Sequence, residues 1–251
     1  MGSFLNVVAL RFNSGLTLSG RSFCPVCEKK LSAWELIPVF SFLFLKGRCL
    51  GCKTKISFQY FLVEVVTGVV FAAIYWATLN SVPNISLLIL NLILASIFIV
   101  IALYDLKHKI IPDFFVYLSI LVSLVYRIYS YFLFPTSYID WLAPVFLFIF
   151  FALVWLFSGG RAMGFGDAKL GVAVGLWLGA AQGFSAIILA FWIGTAAVII
   201  YYLFISFFPL YRRSKRLTMK SEVPFAPFII LGAWFSFILK LDILHVALFL
   251  N

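Results

Sequence analysis

The feature that most constrains this chain is a succession of long apolar runs, each about as long as a bilayer crossing and each closed by a short polar or charged stretch. Runs at 59–79, 87–104, 114–134 and 139–157 fall within the about 17–25 residues that span a hydrocarbon core. Further on, 168–181 is short and glycine-rich, 184–208 is long, and 224–239 is followed by an apolar tail at 241–250. Residues 2–10 are too short to span. They read as the end of a first transmembrane segment, truncated, or as an interfacial stretch. No basic region ahead of an apolar core marks a cleavable signal peptide. The fold expected is an all-α polytopic membrane protein of about seven to eight transmembrane helices.

The net charge of +10 raises the possibility of nucleic-acid binding. The nineteen Lys and Arg residues, however, fall in short clusters between apolar runs rather than along one helical face, which excludes a nucleic-acid partner and fits membrane topology. Short cytoplasmic loops collect Lys and Arg. Residues 11–57 carry Arg11, Arg21, Lys29, Lys30, Lys46, Arg48, Lys53 and Lys55, while 80–86 carry none. Lys107 and Lys109, then Arg161, then the basic cluster of 211–222 mark successive returns to the same side. The soluble parts are therefore expected on the cytoplasmic face, and Asp105 and Asp167 open on it together.

All four cysteines lie in the first loop, as Cys24-Pro-Val-Cys27 and Cys49-Leu-Gly-Cys52, with twenty-one residues between the pairs. Two Cys-x-x-Cys turns present four thiolates to one ion, the spacing of a structural zinc site with all positions closed. Two disulfides or four free thiols are the alternatives, and a cytoplasmic location disfavours stable disulfides. The neighbouring Lys29, Lys30, Arg48 and Lys53 offset the negative charge of such a cluster.

Only nine acidic residues occur, and Glu64, Asp105, Asp113 and Asp167 lie in or at the mouths of the apolar runs. Carboxylates are costly there and are functional candidates for that reason. Asp113, after Ile111-Pro112, reads as a helix N-cap. Asp105 closes its run at a helix C-terminus, where a carboxylate is repelled, so something other than capping retains it. Asp167 sits in Gly164-Phe165-Gly166-Asp167-Ala168-Lys169-Leu170, where glycines allow close backbone approach at a helix start. Two facing carboxylates make an acid and base pair; the expectation is that Asp167 activates water and Asp105 carries the proton, with the proton shared between them. His108 and His245 are the only histidines and lie in no triad or metal pattern. His108 reads as a solvated loop residue.

Taken in order, these motifs resemble the type IV prepilin leader peptidases, aspartic peptidases of family A24. The residues that carry the resemblance are Gly2-Ser3-Phe4-Leu5-Asn6-Val7-Val8 with Arg11, the two cysteine pairs, Leu62-Val63-Glu64-Val65-Val66-Thr67-Gly68, Asp105 through Ile111-Pro112-Asp113, and the Gly164–Leu170 segment. The resemblance implies that Asp105 and Asp167 are catalytic, with Gly164, Gly166, Lys169 and Asp113 supporting them. It implies cleavage of the short basic leader of type IV prepilins or pseudopilins after a glycine, on the cytoplasmic side of a bacterial inner (plasma) membrane. It also implies methylation of the new N-terminus with S-adenosylmethionine, with Glu64 and Gly68 the candidates for methyl transfer or substrate binding. The domain division expected is 1–10 as the end of a first transmembrane segment, 11–57 as the cytoplasmic tetra-cysteine zinc loop, and 58–251 as the transmembrane peptidase domain. Two other classes compete: a zinc-stabilised scaffold of a pilus machine, and an ion-coupled transporter. The spans are mostly Leu, Ile, Val, Phe and Ala with no evident internal repeat, which disfavours transport, and a scaffold has no need of paired aspartates.

Overall fold

Segments that are apolar on every side have no solvent-facing stripe, so in a bilayer they satisfy their backbone as helices. The computed structural model describes residues 1–13, 23–24, 26–32, 34–81, 83–134, 137–161, 163–207 and 224–243. The basic cluster of 211–222, the apolar tail beyond 243 and part of the first loop lie outside the described residues. The helices are α1 (Gly2–Arg11), α2 (Phe40–Phe44), α3 (Phe58–Ser81), α4 (Ile85–His108), α5 (Asp113–Leu133), α6 (Tyr138–Ser158), α7 (Phe165–Phe207) and α8 (Ala226–Leu239), with a 3₁₀ turn at Trp34–Leu36. Among the described residues, β-pairing is confined to two isolated bridges. Five helices, α3 to α7, are long and apolar enough to cross a membrane, and α8 is a shorter apolar helix. The chain is an all-helical membrane protein.

Two compact units divide the chain, Met1–Tyr75 and Trp76–Asn251. In the first, α1 lies close on α3: a Cβ on Gly2 would sit 2.8 Å from the Glu64 Cα. Asn6, fully buried one turn further on, accepts a hydrogen bond from Gln59 Nε2 at 3.3 Å.

In the second unit, α7 packs against α5, α6 and α8, and α4 against α5 and α8. Asn84 caps α4 by accepting from the Ser86 and Leu87 amides, and Ser137 caps α6 through Ile139, so polar residues mark the helix starts. Gly171 and Gly175, four apart on one face of α7, admit α6 closely. Cβ atoms there would meet the Phe151 ring at 2.9 Å and the Pro144 backbone at 2.7 Å. Small residues at such spacing allow tight packing between membrane helices.

The segments at 168–181 and 184–208 belong to one element that breaks at Gly179, whose φ of 77° and ψ of −165° are not helical. A Cβ on Gly183 would lie 3.8 Å from the Gly175 Cα. In a straight helix eight residues separate by about 12 Å, so the chain turns back here and α7 is two limbs of a hairpin. The turn is capped from outside. Arg127 Nε donates to the Leu176 carbonyl at 2.8 Å, and Asp140 Oδ1 accepts from the Ala180 amide at 2.8 Å. The last carbonyls of one limb and the first amide of the next thus find charged partners.

Candidate active site and metal centre

Asp105 and Asp167 reach the site from opposite ends of helices. α4 runs on to His108, so Asp105 occupies its last turn instead of ending the helix, and it is 4% exposed. What retains it is the start of α8: the Ala226 amide donates to Asp105 Oδ2 at 3.2 Å. A carboxylate disfavoured at the C-terminus of its own helix meets the favourable N-terminus of another. Sequence reading missed this partner, although Pro224 and Pro227 around Ala226 are a helix-start signature.

Asp167 stands in the first turn of α7 and is 5% exposed. Its Oδ2 accepts from the Gly164 amide at 3.2 Å, and its own amide donates back to the Gly164 carbonyl at 3.2 Å. Its Oδ1 is buried without a hydrogen-bond partner. The two carboxylates are close enough for the charge of Asp105 to act on Asp167.

The two motif glycines differ. A Cβ on Gly166 would lie 2.9 Å from the Ile111 Cβ, whereas one on Gly164 meets nothing closer than 3.7 Å. Gly166 therefore lets the start of α7 press against the α4–α5 connection. Asp113 is the first residue of α5, with Pro112 as its cap. Instead of capping, its Oδ1 pairs with Lys169 Nζ at 2.6 Å, and the ammonium also lies over the Tyr117 and Phe165 rings. This ties the start of α5 to the start of α7, two residues beyond Asp167. His108, helical but exposed as expected, stacks on Tyr104 at 4.4 Å.

The cysteine loop is built from two copies of one turn, offset by twenty-five residues. Phe23 bridges Lys30 and Arg48 bridges Lys55; the Cys24 amide donates to Lys29 and the Cys49 amide to Thr54; Glu28 and Lys53 both have positive φ. The copies bring all four Sγ atoms within 4.8 Å of one another. The Cys24–Cys52 and Cys27–Cys49 separations are 3.7 and 4.0 Å. Metal–sulfur bonds of about 2.3 Å in a tetrahedron place sulfurs ~3.8 Å apart, so the donor set fits one tetrahedral ion. The Cys24 thiol is pulled down by the Cys27 and Val26 amides, and the Cys52 thiol to about 6 by the Thr54 side chain and amide, whereas burial and the neighbouring cysteines push Cys27 up to about 11. The four thiols thus compete for negative charge, which a bound cation would offset. The four close cysteines can hold a metal ion.

Glu64 and Gly68 both lie on α3, on neighbouring turns. Glu64 Oε2 accepts from the Val39 amide at 2.8 Å, a partner that ties the cysteine loop to the helix. Gly68 is exposed, with open space where a Cβ would be. One turn of α1 beyond the Gly2–Glu64 contact, Asn6 Nδ2 is buried with no hydrogen-bond partner, a donor that sequence reading included in a motif without giving it a role.

Known proteins resemble this chain along most of its length. A family model described as the Bacterial Peptidase A24 N-terminal domain matches residues 1–78, and one described as the Type IV leader peptidase family matches residues 92–212. The Prepilin leader peptidase/N-methyltransferase of Bacillus subtilis (strain 168) is 30% identical over 250 residues, covering 95% of this chain and 90% of the relative. Proteins of the same description from Vibrio cholerae serotype O1 and Klebsiella pneumoniae are each 32% identical. The first match covers 71% of this chain and 74% of the relative, the second 71% and 80%. No solved structure matches the chain significantly. With two family models in register along it and relatives matched over most of their length, this chain belongs to the type IV leader peptidase family, the prepilin leader peptidase/N-methyltransferases.

Proposed function

We propose that the chain cleaves the basic leader of type IV prepilins or pseudopilins after a glycine, using Asp105 and Asp167 as an aspartic pair. The observation that carries this reading is the burial of both carboxylates, Asp105 in the last turn of α4 and Asp167 in the first turn of α7, with Asp167 Oδ1 lacking any hydrogen-bond partner. An unpartnered buried oxygen is costly, and a water or a peptide group bound there satisfies it.

In this account Asp167 Oδ1 takes a proton from the attacking water while protonated Asp105 gives one to the scissile carbonyl oxygen. The tetrahedral diol collapses as the C–N bond breaks: the proton held by Asp167 passes to the leaving amine and a diol hydroxyl returns its proton to Asp105, which restores the starting pair. One carboxyl must be protonated and the other ionised, so the rate is expected to be bell-shaped in pH and to belong to the pair. Gly166 and the Asp113–Lys169 ion pair position the start of α7, and with it Asp167.

The site opens to the cytoplasm of a bacterial inner membrane, in agreement with the placement of Lys and Arg. A prepilin presents an apolar helix in the bilayer and a basic leader on that face, which brings the scissile bond to the depth of the aspartates. Cys24, Cys27, Cys49 and Cys52 hold a zinc ion that organises the loop and takes no part in hydrolysis, since four protein thiolates leave it no open position.

The chain also methylates the new N-terminus, with S-adenosylmethionine supplying the methyl group when bound. Asn6 Nδ2 offers a donor to a carboxylate or carbonyl, Glu64 offers an anion to an ammonium, and the open face at Gly68 leaves room beside them. Mass spectrometry of a prepilin-like substrate incubated with the chain in membranes tests both steps. The expected products are a chain cut after its glycine and, with S-adenosylmethionine, the same chain heavier by one methyl group. Glu64→Gln keeps an acceptor for the Val39 amide but loses the charge, so it is expected to cut normally and methylate poorly. Normal methylation by that variant would remove Glu64 from the transfer site.

A further inference from the structure

The surface of the cysteine loop is unlike that of a soluble domain. Trp34 is 82% exposed and Phe44 83%, and Leu36, Ile37, Phe40 and Leu43 are exposed as well. An apolar patch of this kind on a polar module marks an interaction surface. Basic residues flank it in the sequence: six Lys and Arg against two Glu lie between residues 28 and 55, and Lys46, Arg48, Lys53 and Lys55 are all exposed.

Contacts within the same unit fix the level at which this patch sits. Phe42, on the inner side of α2, packs against Phe58 and Phe61 of α3 with ring centroids 6.1 and 5.3 Å away. Just before α2 the chain makes a tight turn at Val39, with φ 65° and ψ −52° and the Phe40 amide donating to the Pro38 carbonyl. A β-branched residue adopts that conformation only where its surroundings impose it. Here the Val39 amide is held by Glu64. Glu64 lies six residues into α3, about 9 Å along the axis at 1.5 Å per residue. α3 itself, at 24 residues, is ~36 Å long against a hydrocarbon core of about 30 Å. A centred α3 would overhang that core by ~3 Å at each end, so the start of α2 is held alongside the first turns of a membrane-crossing helix, ~6 Å below the boundary between headgroups and acyl chains, within the about 5–10 Å depth of an in-plane helix.

We propose that the 34–44 segment is an interfacial anchor. Trp34, Leu36, Ile37, Phe40, Leu43 and Phe44 insert into the leaflet that α3 enters, and Lys46, Arg48, Lys53 and Lys55 engage its anionic headgroups. Aromatic residues favour this layer, and an apolar segment bordered by Lys and Arg is the composition of an in-plane membrane anchor. The cysteine module then rides on the bilayer surface instead of standing free in solution. A second copy of the chain or an incoming prepilin are the other possible occupants. Continuity with α3 and the flanking positive charge favour lipid. The inference rests on α3 crossing the membrane and not on the peptidase reading.

The test uses the full chain in proteoliposomes, with p-benzoylphenylalanine in place of Trp34 or of Phe44, in bilayers with and without phosphatidylglycerol. Lipid adducts are expected at both positions. Their yield is expected to fall when the anionic lipid is replaced by phosphatidylcholine, and to fall in Lys46→Gln/Arg48→Gln only where the anionic lipid is present, since each basic residue near such a surface is worth about fivefold in membrane affinity. The wild-type chain labelled by a photoactivatable acyl chain, with the adducts mapped to 34–44, gives the same answer without any substitution. Cross-links joining two copies or the substrate in place of lipid would overturn the proposal. So would the absence of lipid adducts, or yields indifferent to lipid charge.

Discussion

The neighbours of Asp167 leave it little freedom, as its proposed role requires. Gly166 has no room for a side chain against Ile111, and Lys169, two residues on, is anchored to Asp113. Gly166→Ala is therefore expected to shift the first turn of α7 and lower kcat by roughly 10²-fold, the scale of a misplacement of about 1 Å. Lys169→Met breaks an ion pair whose carboxylate is 63% exposed, and such pairs contribute little stability. It is expected to cost activity by a smaller factor and to leave thermal unfolding nearly unchanged. Initial rates on a prepilin-like substrate, with unfolding followed in the same detergent, separate the two. Both aspartates stand out as candidates in the sequence because carboxylates at the ends of apolar runs are rare. The partner of Asp105 does not, because Ala226 lies 121 positions away and donates through its backbone, which carries no side-chain signature.

Among the elements, α7 shows best where sequence reading ends. The two apolar segments are plain in the sequence, the first of them glycine-rich, but the device that turns the chain is not. It depends on Arg127 and Asp140, which reach Gly179 from α5 and α6. Arg127 is buried and donates to the Leu176 and Trp177 carbonyls. Arg127→Met leaves those buried carbonyls without their donor and is expected to destabilise the second unit by about 1–3 kcal/mol. Gly179→Ala is expected to destabilise by more than ~1 kcal/mol, since its φ of 77° disfavours a side chain. Thermal unfolding of each variant checks these values, and an unchanged midpoint would remove the clamp from the account.

The cysteine loop carries a separate expectation. Its two turns could be read from the spacing, whereas the fold of 31–44 could not. Glu35 is held below the ordinary carboxylate range by the Ser32 amide, the Ser32 hydroxyl and Lys29. A carboxyl depressed on folding stabilises above its unfolded value of about 4.3 and loses that contribution as pH falls through the folded value. Hydrogen exchange of residues 29–37 is expected to speed up in that acid window in the wild type, and to lose this pH step in Glu35→Gln.

For the whole molecule, the proposed orientation, drawn from the distribution of Lys and Arg, has the two aspartates opening on one face, and both belong to the second unit. Membrane character, helical class and family were accessible from the sequence because bilayer physics leaves so few spanning structures. The contacts that fix the site were not, because they depend on backbone amides, glycine clearances and capping groups supplied from distant helices. The central claim, that Asp105 and Asp167 act as one aspartic pair, is tested most directly by cleavage of a prepilin-like substrate in membranes by wild type, Asp105→Asn and Asp167→Asn, with metal content measured on the same samples. The account predicts that each substitution alone lowers the rate by at least about 10²–10⁴-fold with metal content unchanged; cleavage that survives either substitution would contradict it.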